Sequence, residues 1–305
     1  SVASGQSTKS RSFSIPTSAP NGSYDVIWGL WSGTPGSSTM LGSQTRTSYF
    51  TVAMADRLEV AKKFAPILYL HPNERYQPRP VEIVLDNAVL KKNITRGFDD
   101  QVRQHPTPED LTLWSGQDYY LDLEDVSPSN LVDLLVSYIQ DDAGAWNKYK
   151  TILQTSGSKY PITVYARFTE QVSRVVVQYW LFYFFNDWYN DHEGDWEMVQ
   201  LTFPQDKTAR AILNDGITPE SVSYSTHFSG QGRLWSLVEK EGDHPVVYVA
   251  NGSHANYFEA GDHEVVVPGV NEEASLDETG KGLKMTPDSY SLVQIYQDTQ
   301  WVLFQ

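Results

Sequence analysis

The sequence predicts a mainly β fold, an antiparallel β-sandwich with helical insertions (α+β). Three observations predict it. From residue 162 onward, "ITVYARF", "RVVVQYWLFYFF", "WEMVQLTFP", "SVSYSTHF", "PVVYVANG", "HEVVVPG" and "VQIYQDTQWVLF" are rich in β-branched and aromatic residues and are separated by Gly, Pro, Asn and Asp clusters. No helical pattern is regularly interspersed among them, which favours a sandwich over a parallel α/β sheet. Aromatic residues make up 13% of the chain, with nine Trp and eighteen Tyr, enough to stock a β-rich core.

The elements follow in order. Residues 1–24 are a Ser/Gly/Thr-rich arm with little periodicity, and residues 25–305 read as one sandwich domain. "YDVIWGLWSG" and "RTSYFTVA" read as short strands. "MADRLEVAKKFAPILYL" starts as a helix, with Leu58, Ala61 and Phe64 at helical spacing, and becomes a strand near Pro66. "HPNERYQPRP" is a turn-rich loop. Residues 81–160 read as more helical, with a helical insertion at about 95–160. Within it, "SPSNLVDLLVSYIQ" carries an apolar stripe at Leu131, Leu134, Leu135 and Tyr138 behind a Ser–Pro start. The longest apolar run, Val175–Phe185, is too short to span a bilayer as a helix.

Charge narrows the partners. The chain has 305 residues, with 23 Lys plus Arg against 38 Asp plus Glu, a formal charge of -15. Nucleic acid and anionic membranes both need positive charge and are disfavoured. Neutral ligands, cationic ligands, or an anionic ligand reached through a bound cation suit such a chain. The absence of Cys excludes disulfides, thiolate metal sites and a Cys nucleophile. The N-terminus lacks the apolar stretch of a signal peptide, while N-x-[ST] sequons at Asn21, Asn93 and Asn251 agree with a secreted, processed chain.

The densest chemistry lies in "NDWYNDHEGDWEMVQL", Asn186–Leu201. A strand over Asp195–Phe203 puts Asp195 and Glu197 on the same face as Val199, Leu201 and Phe203. Two carboxylates then line one end of the core, where an unpaired charge is costly. No Lys or Arg occurs from Gln178 to Pro204, so a bound cation is the economical partner. His192, Asp195 and Glu197 form an H-x-x-D-x-E set, and Asp187 arrives from the preceding strand across a hairpin. Carboxylate and imidazole ligands favour Mg, Mn or Ca, with Zn also allowed. Seven His occur in the chain. His227 and His254 lie at strand ends, where they can join His192 as ligands or act, with Glu193, as general acid or base. No nucleophile elbow, P-loop or G-x-G-x-x-G occurs.

"FAPILYLHPNERYQP", "QYWLFYFFNDW", "HEGDWE", "YSTHF" and "HPVVYVANGSHANYF" together resemble the vacuolar protein sorting-associated protein 62 family over roughly residues 60–300. The middle of the chain also resembles the necrosis-inducing cytolysins, whose signature is G-H-R-H-D-W-E after an aromatic strand ending in Asp. The cytolysin resemblance implies a divalent cation held by Asp187, His192, Asp195 and Glu197 at one end of a β-sandwich, engaging a sugar head group. Glu193–Gly194 stand where the cytolysins carry Arg-His, and the cytolysins' Cys residues are missing. The function expected first is a secreted, divalent-metal-dependent hydrolase of a carbohydrate, glycoconjugate or phosphoester, with Glu193, His227 and His254 catalytic. The alternatives are a cation-dependent glycan- or glycolipid-binding or membrane-lytic module, and a trafficking accessory with a structural cation. A monomer is expected, with membrane contact only under the lytic reading.

Overall fold

The computed structural model describes residues 22–31, 40–52, 54–95, 98–114, 118–124, 126, 142–171, 174–188, 191–227, 229–265 and 276–296. The chain divides into two compact units, Ser1–Ala55 and Asp56–Gln305. The sequence reading places its boundary earlier, at residue 24. In the first unit β1 (Gly22–Trp31) and β2 (Met40–Val52) pair antiparallel, as expected for "YDVIWGLWSG" and "RTSYFTVA". The arm's residues 1–21 lie outside the described residues.

At the start of the second unit α1 (Met54–Lys63), whose first two residues belong to the first, gives way to β3 (Ile67–Leu70) across Pro66, as the helical spacing and the proline predict. Then come α2 (Glu82–Leu85), β4 (Ala88–Thr95), β5 (Phe98–Gln104), α3 (Pro108–Leu113), β6 (Tyr119–Leu123) and α4 (Asp142–Ser156). The remaining strands include β7 (Thr163–Gln171), β8 (Arg174–Asn186) and β9 (His192–Gln205), followed by the short helix α5 (Ala209–Asn214). After it run β10 (Ser221–Thr226), β11 (Ser229–Leu234), β12 (Lys240–Glu241), β13 (His244–Val249) and β14 (Asn256–Tyr257). The last are β15 (Gly261–Glu264), β16 (Leu276–Thr279), β17 (Lys284–Met285) and β18 (Ser291–Ile295). Among the described residues no helix is long and apolar enough to cross a membrane.

Two sheets share the main core. One has the order β11-β10-β9-β8-β7-β18; the other has β12-β13-β3-β17, with β14 added on β13. Val177, Tyr179, Leu181, Val199, Leu201, Phe203, Val222 and Tyr224 from the first meet Leu68, Leu70, Val247 and Val249 from the second. Two buried phenols find acceptors across this core: Tyr179 donates to Ala61 O at 2.7 Å and Tyr224 to Val246 O at 2.8 Å. The sheets are not wholly antiparallel, a difference from the expectation. β3 pairs parallel with β13, and β18 with β7. The reason for the first pair lies in burial on both faces. Leu68 and Leu70 enter the main core, while Ile67, Val246, Tyr248 and Ala250 join a second apolar cluster. Continuous apolar segments such as "APILYL" and "PVVYVA" suit a strand covered on both sides.

Residues 88–123 correct the helical reading of the insertion. They form a three-stranded sheet, β5-β4-β6, with α3 and then α4 the helices that accompany it among the described residues of the insertion. The strands are charged, and cross-strand pairing holds them: Lys91 Nζ lies 2.7 Å from Asp122 Oδ2. Such strands lack the apolar alternation that signals a strand in sequence. "SPSNLVDLLVSYIQ" lies outside the described residues. α3 begins with a reciprocal cap, in which Thr107 N–H donates to Asp110 Oδ2 at 2.9 Å and Thr107 Oγ1 accepts from Asp110 N–H at 3.3 Å. Thr107→Ala is therefore expected to lower stability by about 1 kcal/mol in urea unfolding, with Thr107→Ser near wild type. Equal losses in the two variants would sink the capping account.

Candidate functional site

The β8–β9 hairpin carries the acidic residues. Asn186 stands opposite His192, Tyr183 opposite Asp195, and Leu181 opposite Glu197. Glu197 is buried in line with Val199, Leu201 and Phe203, as the period of two predicts. Asp195 keeps 12% of its side chain exposed. Gly194, at φ +68, takes the left-handed conformation just before Asp195 and interrupts the alternation. Glu193 is consequently held elsewhere, where its carboxylate accepts Leu123 N–H at 2.5 Å and its charged neighbours are Asp122, Lys91 and Lys148. Burial raises the Glu193 carboxyl to about 8, against the opposing pull of the Leu123 amide.

The turn after β13 closes on this hairpin. Gly252, at φ +77, donates its N–H to Glu74 Oε2 at 2.6 Å, and its carbonyl accepts Asp187 N–H at 3.0 Å. His254, also left-handed at φ +56, is fully buried. Its Nδ1 lies 2.9 Å from Asp195 Oδ2, and its Nε2 stands 3.4 Å from Glu74 Oε1, an ion-pair contact outside good hydrogen-bond alignment. The Tyr183 ring stacks on the imidazole at 3.8 Å. Glu74 Oε1 also accepts Tyr76 N–H at 2.7 Å.

The buried charges shape one another. Burial would push the His254 pKa down, but Glu74 and Asp195 outweigh it and carry it to about 10, so His254 is an imidazolium. Burial opposes ionisation of Asp195 and Glu74 as well, yet neighbouring His192 and hydrogen-bonded His254 at Asp195, and the His254 charge with the Tyr76 and Gly252 amides at Glu74, hold both carboxyls below their usual range. Glu197 goes the other way: burial first, then the charge of Asp195, raise it well above the usual range despite the Ser225 hydroxyl that donates to it. Three buried carboxylates, Glu74, Asp195 and Glu197, thus face one buried imidazolium.

At the exposed end, His192 Nε2 lies 3.7 Å from Asp195 Oδ1, and Asp187 Oδ2 lies 3.2 Å from Arg75 Nη1. Among the described residues no group of three or more acid or imidazole side chains is already drawn together at metal-binding distance. The four expected ligands are neighbours on one hairpin rather than a closed cage. The donor chemistry nevertheless suits a hard cation. Buried amide oxygens of Asn186 and Asn256 have no hydrogen-bond partner, and carboxylates and amide oxygens are the ligands such cations take.

His227 belongs to a neighbouring cluster. Its Nε2 lies 2.7 Å from Asp277 Oδ2, and its ring stacks on Trp188 at 4.1 Å. Fully buried Asp277 also accepts from the hydroxyls of Ser253 at 2.7 Å and Tyr257 at 2.6 Å. Ser, His and Asp meet here, but serine and histidine both address the acid, so the arrangement does not activate Ser253 as a nucleophile. The structure brings together Asp195, His254 and, at the rim, His192, with Glu197 next along the same face; it separates Glu193 from them and ties His227 to Asp277. Glu74 and Asp277 escaped sequence reasoning. Glu74 lay in "HPNERYQP", whose only local signal was a turn.

No family model matches the chain, and no curated protein matches it. The resemblance to the vacuolar protein sorting-associated protein 62 family therefore rests on its motifs alone. Solved structures do align with it, among them ones described as toxin folds. NLPPya in complex with mannosamine aligns over 80% of this chain and 74% of its own, at 12% identity and a TM-score of 0.36. A structure described as a toxin fold for microbial attack and plant defense covers 78% and 74%, at 12% identity and a TM-score of 0.34. Necrosis and Ethylene inducing Protein 2 from the causal agent of cocoa's Witches Broom disease covers 79% and 74%, at 12% and 0.34. This chain is similar to them at a level too loose to carry an argument about its ligand or activity.

Proposed function

We propose that the protein is a cation-dependent glycan-binding module, with Asp195 and Glu197 holding a divalent cation and His192 and Asp187 completing its shell from the rim. The observation that carries this reading is the shortage of positive charge around the Asp195–Glu197 pair. The one buried imidazolium, His254, contacts Glu74 at 3.4 Å and Asp195 at 2.9 Å, while Glu197 is buried beside Asp195 with the Ser225 hydroxyl as its hydrogen-bond donor. A cation satisfies both carboxylates and supplies what the orphaned amide oxygens lack.

The geometry favours binding over hydrolysis. The acid–base group expected in Glu193 faces Leu123, and the ring of His227 is committed to Asp277. His254 retains its proton at neutral pH and is sealed from solvent. A general base must reach the proton it abstracts, and none of these three is placed to do so. At the rim, half-exposed Asp187, Trp188 and His192 lie next to the buried pair. Neighbouring sugar hydroxyls can replace water on a hard cation while an aromatic face meets the C–H groups of the sugar ring.

Mn²⁺ titration tests the cation. Asp195→Asn and Glu197→Gln are each expected to weaken Mn²⁺ binding by more than the roughly 10–100-fold typical of groups that merely support a ligand. A glycan array read with Mn²⁺ and with EDTA tests the rest. Binding should be lost in EDTA, with glycan and phosphoester panels left intact. Cation-independent glycan binding, or turnover of any panel member, overturns the proposal.

A further inference from the structure

The Glu74–His254 pair is left over from this account: two buried charged groups that touch neither the rim nor, by the reading above, the ligand. Burying such a network is a poor way to gain stability, because apolar residues of similar volume usually serve as well or better. Its construction is nonetheless unusually determinate. Glu74 is fixed by two backbone amides, Tyr76 at 2.7 Å and Gly252 at 2.6 Å. His254 holds a strained left-handed backbone, is fully buried, and has its ring pressed flat on Tyr183. Strain of this kind persists only where the surroundings over-determine it.

The object of this rigidity is one oxygen of Asp195. Oδ2 receives His254 Nδ1 at 2.9 Å and Asn186 Nδ2 at 3.4 Å, both from the interior. Oδ1 is the oxygen beside His192, at 3.7 Å from its Nε2. We infer that Glu74 and His254 are positioning residues: Glu74 fixes the imidazole, the imidazole holds Asp195 Oδ2 inward, and Oδ1 is thereby presented to the rim as the cation-binding oxygen. This rests on the cation reading. It replaces the acid–base role expected of His254 and gives Glu74 a role that its turn motif did not suggest. A carboxylate–imidazole pair behind a ligand orients that ligand and restricts it to one binding mode.

The test combines Mn²⁺ titration, followed by electron paramagnetic resonance, with crystal structures of the metal-free proteins. Glu74→Gln and His254→Gln are each expected to weaken Mn²⁺ binding 10–100-fold. The double variant should be no weaker than the worse single one, because both residues act through the same oxygen. Thr107→Ala, destabilised at a remote helix cap, should keep wild-type affinity, which separates positioning from general loss of stability. In the metal-free Glu74→Gln crystal the Asp195 carboxylate should turn away from its wild-type orientation. Wild-type Mn²⁺ affinity in both glutamine variants, or an unmoved Asp195 in Glu74→Gln, overturns the inference. If the wild-type protein binds no Mn²⁺, the cation reading falls, while the orientation of Asp195 in the metal-free crystals still decides the positioning claim.

Discussion

Gly252→Ala is expected to cost about 3 kcal/mol or more of folding stability and to abolish cation binding. The residue sits at φ +77, and an added Cβ would lie 2.0 Å from Asp187 O and 2.9 Å from its carbonyl carbon. Those atoms are backbone and cannot rotate aside. The same residue donates to Glu74 and accepts from Asp187, so any displacement moves the Glu74 loop, the end of β8 and the His254 turn together. Gly216→Ala provides the comparison. Gly216 is left-handed as well, at φ +65, but an added Cβ there meets nothing within 4 Å. It should show the backbone strain alone, on the order of 1 kcal/mol. Urea unfolding that found the two variants equally destabilised would refute the contact argument.

Glu193→Gln is expected to remove a pH dependence of stability. The carboxyl is near 4.5 as a free group and about 8 in the fold, raised chiefly by burial. Between those values the folded state holds a proton that the unfolded state has released. Stability from this group is therefore complete below about pH 4.5 and declines as pH rises through about 8. At 1.36 kcal/mol per pKa unit, the upper bound of the loss is about 5 kcal/mol. Glutamine keeps an acceptor for Leu123 N–H and cannot ionise. The variant should match wild type near pH 5 and exceed it by several kcal/mol near pH 9, both in EDTA. Wild-type and variant stabilities that run parallel across this range would show that Glu193 does not carry the effect.

The two residues show how far periodicity reaches. The alternation from Glu197 to Phe203 held because the strand is regular there, and it located the buried carboxylate correctly. Two positions earlier the same counting groups Glu193 with Asp195, but the left-handed Gly194 breaks the period, and the two carboxylates acquire different surroundings. A glycine in a strand is visible in sequence; the φ it adopts is not. The helical reading of residues 88–123 failed for a related reason, since charged strands such as "FDDQVRQ" have no apolar face to reveal them.

By itself the sequence determined the mainly β class, the principal strands after residue 162, the helix-to-strand change at Pro66, and the gathering of Asp187, His192, Asp195 and Glu197 on one hairpin. All of these follow from local spacing. Only the tertiary structure decided that Glu74 and Gly252 close on that hairpin, that His254 serves Asp195 from within, and that His227 turns to Asp277. It also decided that β3 and β13 run parallel. The physical reason is common to them all: these contacts join segments remote in sequence, and they form only when burial on both faces of β3 and β13 brings the loops beyond their C-terminal ends, carrying Glu74 and His254, beside the end of the β8–β9 hairpin.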